Sequence, residues 1–128
     1  MANGILAISG IFGALAVTLG AVGSHVLKGR LLDADYGVYE LGVEYLLIHA
    51  VVLFGCGVYA HRDSASVCIK IAGGLLICGI VLFCGSLIGR AVLGIPSLGR
   101  VAPFGGAALI LGWLSISAAG VANYWRTR

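Results

Sequence analysis

Ionisable side chains set within long apolar runs are costly to place in hydrocarbon, so they are the first positions to read for chemistry. His25, Glu44 and His49 are the three such residues of this chain. Tyr45 and His49 are four residues apart, which places a phenol and an imidazole on one helix face, and Cys56 follows one heptad beyond His49. Aligned in this way, the three groups describe a proton path or a ligand stripe. The plainer alternative is packing, with His49 hydrogen-bonded to Tyr45 or to a nearby backbone carbonyl. With a rise of about 1.5 Å per residue, His49 lies on the order of 12 Å below the start of the apolar run at Leu41, and Glu44 about one turn in. His25 closes the first apolar run. All three belong to the half of the membrane that also carries Lys28, Arg30, Arg90 and Arg100, which are candidates for lipid headgroups or for ion pairs. Glu44 is expected to reach His25, Arg30, Arg90 or Arg100, since an unpaired carboxylate in an apolar setting is expensive.

Other chemistries find less support. Two histidines on different helices raise haem ligation, but His25 and His49 differ by roughly 9 Å in depth and no Cys-x-x-Cys-His is present. Cys56, Cys68, Cys78 and Cys84 are spaced by 12, 10 and 6 residues, without the Cys-x-x-Cys pairs of zinc or iron–sulfur sites. They read as small apolar packing residues, and a Cys56–Cys68 bridge would need an oxidising compartment. Ser24 and His25 are neighbours without a nucleophile elbow. Asp33, Asp35 and Glu40 suit a solvated helix start, with cation binding as the other reading. No phosphate-binding or dinucleotide glycine motif occurs. Neither a metal nor a cofactor is expected, and no enzyme activity.

The elements that position these residues follow from composition. The 128 residues are 60% hydrophobic and 10% charged, with a mean hydropathy of +1.08. Soluble domains carry roughly 25% charge, and disordered chains carry few apolar residues. There are 21 glycines but only two prolines and no Gly-X-Y period, which excludes collagen. The apolar runs are continuous instead of alternating, so the spans are helices and not barrel strands. The fold class is therefore all-α, a polytopic membrane protein of four transmembrane helices in an up-down antiparallel bundle. The helices are expected over about 4–27, 34–60, 67–89 and 103–122, one transmembrane domain covering 1–128, because a span needs about 20 apolar residues.

The first run exceeds the roughly 7–15 residues of a signal-peptide core and lacks a basic flank, so it is expected to be retained. Asp33 is expected as the N-cap of the second helix, residues 61–66 as a tight turn and 90–100 as the third connection. Lys70 is placed to snorkel, Pro103 suits a first turn, and Tyr124 with Trp125 forms an interfacial anchor. Small-residue stripes at Ala16, Gly20 and Ser24, at Gly85 and Gly89, and at Ala108 and Gly112 are expected to pack helices, with a dimer face as the alternative. Arg62, Lys70, Arg126 and Arg128 on the terminal side equal Lys28, Arg30, Arg90 and Arg100 on the other, so the positive-inside count ties. Termini inside is the orientation adopted. The net charge of +3 is divided between two faces and favours lipid headgroups over nucleic acid.

Gly13-Ala14, Gly20-Ala21-Val22-Gly23-Ser24-His25, Tyr45-Leu46-Leu47-Ile48-His49-Ala50, Phe83-Cys84-Gly85-Ser86-Leu87, Pro103-Phe104-Gly105-Gly106 and Gly112-Trp113 run in order through nearly the whole chain. Together they resemble the YgdD/YwdK-type family of small inner-membrane proteins. The resemblance implies four spans, a bacterial inner membrane (or, in relatives, the mitochondrial inner membrane), and no assigned activity. The family pattern has glutamine at the position of Glu44 and threonine at that of Ala102. The charge at Glu44 is then particular to this chain, and His25 and His49 are the better candidates for a shared role. The function expected is a structural, assembly or accessory subunit in contact with membrane lipids, as a homo-oligomer or within a larger complex. The alternative is a conductor or carrier of protons or a small solute using Glu44, Tyr45 and His49.

An even number of spans places both ends of the chain on one face. In a background with the native cysteines replaced by alanine, single cysteines at positions 2 and 127 should react with an impermeant maleimide from the same side. Labelling from opposite sides would remove a span.

Overall fold

In lipid, backbone N–H and C=O groups have only each other as partners, so uncharged runs of this length close their hydrogen bonds within helices. The computed structural model describes residues 1–62 and 66–126. Its helices are α1 (Ala2–Val22), α2 (Asp33–Arg62), α3 (Val67–Leu93) and α4 (Ala102–Arg126). There are four spans long and apolar enough to cross a membrane, and no strand occurs among the described residues. The chain is a four-helix membrane protein. The start of α1 meets the end of α2, where His61 Nε2 donates to Asn3 Oδ1 at 2.6 Å. Val67 and Cys68 at the start of α3 share a cleft with Ala122 and Asn123 near the end of α4. Consecutive helices therefore run antiparallel. The turn expected over 61–66 lies mostly outside the described residues, as does Arg128.

α2 and α3 form the buried centre, and α1 and α4 flank them. Local chemistry explains the ends. α3 continues past the expected residue 89 to Leu93, where Gly94 adopts φ 65° and returns its N–H to the Arg90 carbonyl at 3.1 Å. That left-handed position is one glycine occupies without strain. A 3-10 turn, Pro96–Arg100, leads into α4. At α2 the expected cap is displaced by one residue: the Leu32 carbonyl accepts from Tyr36 N–H at 2.9 Å, so Leu32 caps the helix and Asp33 joins its first turn. Asp33 and Asp35 there complement the positive end of the helix dipole.

The first span is not uniform. Gly23–Leu27 is a π-helical turn, closed by Lys28 N–H donating to the Gly23 carbonyl at 2.9 Å. At that point the ring of Tyr39 lies on Gly23, where a Cβ would come within 2.7 Å of Tyr39 Cε1, and its phenol donates to the Leu19 carbonyl at 2.6 Å. The Leu19 carbonyl thus receives the phenol as a second donor beside Gly23 N–H, at the point where the turn widens. Tyr39 is only 2% exposed and joins the end of α1 to the start of α2.

Helix packing uses the small residues selectively. Ala16 is buried, Gly20 faces Val43, and a Cβ at Gly112 would stand 2.9 Å from Leu76 Cδ2. Ala108 is half-buried, while Ser24 is exposed and donates to the Gly20 carbonyl of its own helix at 3.0 Å. The Gly85–Gly89 stripe is not a helix–helix seam. A Cβ at Gly85 would meet nothing within 4 Å, and one at Gly89 only Leu98 of the 3-10 turn, at 3.2 Å. The seam between α3 and α4 is formed by Gly79 and Gly105. A Cβ at Gly79 would fall 2.9 Å from Leu109 N, and one at Gly105 would fall 2.8 Å from both Leu82 C and Phe83 Cα. Gly79 and Gly85 are six positions apart, about 240° around the helix, so they face different neighbours.

Gly105→Ala should force α3 and α4 apart and destabilise the fold by at least about 1–3 kcal/mol, the usual range for overpacking, because the obstructing atoms are backbone. Gly85→Ala, with open space around it, should be neutral. Thermal melting of the two variants in the same mild detergent is the comparison, and equal melting temperatures would remove Gly105 from the seam.

Candidate functional site

Tyr45 and His49 sit one turn apart in the middle of α2, with Phe83 of α3 and Trp113 of α4 closing around them. The ring centroids of Tyr45 and Phe83 are 5.1 Å apart, those of Tyr45 and His49 5.5 Å, and those of His49 and Trp113 6.3 Å. These separations fall in the range of favourable ring pairs. Gly105 makes the arrangement possible by bringing α4 onto the Phe83 backbone, and Gly106 leaves the Phe83 ring uncovered on its groove side. A Cβ at Gly106 would be in ordinary contact with that ring at 3.7 Å.

The four rings line a side-opening groove of about 610 Å3, bounded also by Glu44, Ile48, Leu109 and Ile110. Its walls are largely apolar. Tyr45 and Trp113 are 37% and 47% exposed, whereas His49 is only 5% exposed.

Both ring nitrogens of His49 are engaged. Nδ1 is 2.8 Å from the Tyr45 carbonyl, and Nε2 is 3.3 Å from Trp113 Nε1. A carbonyl only accepts and an indole N–H only donates. The hydrogen therefore resides on Nδ1, and Nε2 offers its lone pair to Trp113. This pair also ties α2 to α4 across the mouth of the groove.

The sequence candidates separate. Glu44, Tyr45 and His49 share the groove. His25 lies in the π-helical turn, exposed and away from it. Glu44 is exposed and makes no ion pair with His25, Arg30, Arg90 or Arg100 among the described residues, contrary to expectation. The reason is placement: Lys28 and Arg30 belong to the α1–α2 connection, Arg90 reaches over Gly99 of the 3-10 turn, and Arg100 points outward at the end of that turn. Cys56 is buried in the core and forms no part of the groove; all four cysteines are free. No group of three His, Cys, Asp or Glu side chains converges among the described residues.

Sequence reasoning gave Tyr39 no part, and named Phe83 and Trp113 only within the motifs that carry the family resemblance, not as site residues. The one signal for Trp113 is that an indole N–H within an apolar run needs an acceptor. Its partner is 64 residues away, and no local spacing reveals it.

Fold and site together define an integral membrane protein of four antiparallel helices with an aromatic groove in its side. The chain belongs to the family described as "Protein of unknown function (DUF423)", whose pattern matches residues 19–106. It is 42% identical over 107 residues to the UPF0382 membrane protein YwdK of Bacillus subtilis, covering 84% of this chain and 87% of that one. It is 39% identical over 102 residues to the UPF0382 membrane protein SH2409 of Staphylococcus haemolyticus, covering 80% and 82%. No solved structure matches it.

Interhelical hydrogen bonds in membranes average about 0.6 kcal/mol and reach about 1.7 kcal/mol. A double-mutant cycle of Trp113→Phe and His49→Leu should return a coupling in that range, since each single change abolishes the same contact. A coupling of zero would show that the indole and the imidazole do not meet.

Proposed function

We propose that this chain is a non-enzymatic accessory protein of the bacterial inner membrane, and that its groove holds the apolar chain of a membrane amphiphile. The observation that carries this reading is the groove itself. It opens sideways at the depth of the apolar spans, where a bilayer component reaches it without crossing water. Apolar concavities with a few placed polar groups are the usual form of small-molecule sites. Helical apolar spans suit an inner membrane, since outer-membrane proteins are barrels.

The bonding of His49 supports holding over conducting. A relay through Glu44, Tyr45 and His49 needs groups that take up and release protons at both ring nitrogens. The Tyr45 carbonyl and the Trp113 indole do neither. Four serine hydroxyls within the helices speak against nucleophilic catalysis in the same way. Ser9, Ser24, Ser86 and Ser115 donate to carbonyls of their own helices, at 2.8, 3.0, 2.9 and 2.8 Å. An accessory role, with a second copy or a larger complex as neighbour, is supported by Gly85, an exposed small residue where another helix has room to approach.

Native mass spectrometry of protein extracted from its own membranes in mild detergent tests the reading. The wild type should retain one amphiphile per chain. Gly106→Leu, which fills the groove, should lose it, and Gly85→Leu, outside the groove, should keep it. Equal retention in all three would overturn the proposal. So would a proton flux in wild-type liposomes that His49→Gln abolishes in a folded protein.

A further inference from the structure

We infer that the amphiphile held by this groove carries a net positive head, an ammonium seated between the Glu44 carboxylate and the faces of Tyr45 and Trp113. The inference rests on the groove reading above and adds to it the chemistry of the head. Glu44 precedes His49 by five residues, so it stands about 7.5 Å nearer the non-terminal face along α2. The groove thus has a charged upper end and an apolar lower one, which is the polarity of a single-headed amphiphile.

Three observations choose the sign of the head. Glu44 is the one charged residue among those lining the groove, and it makes no ion pair among the described residues. A carboxylate at the edge of an apolar span calls for a counter-charge, and none of the bases of that face lines the groove. Beside it, the partly exposed rings of Tyr45 and Trp113 line the same groove, and aromatic rings attract cations, quaternary ammonium groups among them. Finally, the hydrogen-bonding capacity of His49 is already taken by Tyr45 and Trp113. A sugar head would therefore find few donors or acceptors in the wall. An anionic head would meet Glu44 as a like charge, and a zwitterionic phospholipid would bring its phosphate into a groove that offers no lysine or arginine. A long-chain amine or quaternary ammonium meets none of these objections.

Trp113 reports occupancy directly. The chain has two tryptophans, so Trp125→Phe leaves Trp113 as the sole tryptophan. The full-length protein in maltoside micelles is titrated with 4-bromoundecyltrimethylammonium, with 4-bromoundecanol, and with the phosphocholine of the same bromo-chain, so that the bromine lies close to the head. The ammonium probe should quench Trp113 saturably, at a concentration about tenfold below that of the alcohol, as a charge-assisted contact worth one decade requires. Glu44→Gln should erase that difference, Glu44→Asp should retain it, and Gly106→Leu should abolish saturable quenching by all three. Equal quenching by ammonium and alcohol in the wild type would overturn the cationic head and leave the groove reading standing. A phosphocholine probe that matches the ammonium would also overturn it, in favour of a zwitterionic lipid. No saturable quenching by any probe would overturn both readings.

Discussion

At Gly105 the backbone of α4 lies against the backbone of α3 at Leu82 and Phe83, and at Gly79 the reverse contact brings Leu109 onto α3. Lipid supplies no hydrophobic drive for helix association, so such approaches, with the dispersion contacts they allow, hold the bundle together. The groove depends on them. With the interhelical distance set at Gly105, the Phe83 ring is directed past Gly106 towards Tyr45, and Trp113, two turns further along α4, comes within hydrogen-bond distance of His49. A larger residue at Gly105 would move every one of these side chains.

Hydrogen bonds complete what packing begins, and they do so at the joints between helices. Tyr39 joins α2 to the Leu19 carbonyl of α1, Trp113 joins α4 to His49 of α2, and His61 joins α2 to Asn3 of α1. No buried side-chain nitrogen or oxygen among the described residues lacks a partner. In a medium without water that is a requirement of the fold. Glu44 differs in kind: it is exposed, charged and without an ion pair among the described residues. That contrast separates His49, which works for the structure, from Glu44, which faces outward.

Membership of the DUF423 family establishes a membrane protein and carries no activity with it. The groove is therefore read on its own chemistry. Its shape follows from glycines and aromatic residues, while its charge comes from the single residue Glu44. Shape and charge are separable in such a site, because a glutamine at that position would fill the same volume without the charge.

Helix number, type and order were determined by the sequence itself, because runs of apolar residues of spanning length have only one way to satisfy their backbones in lipid. The pairing of Tyr45 with His49 was equally legible, since four-residue spacing is a local property of the helix. Legibility ended where residues distant in the chain had to meet. The four-residue spacing of Gly85 and Gly89 marks a face but not the helix opposite it, and the seam lies instead at Gly79 and Gly105. Glu44 sits near four bases by depth, yet the direction of its side chain around the helix keeps it from them. Tyr39 against Gly23, and Trp113 against His49, are contacts across 16 and 64 residues of chain, so only the tertiary structure decided them. Periodicity records which residues share a face; rotation and translation of one helix against another decide what that face meets.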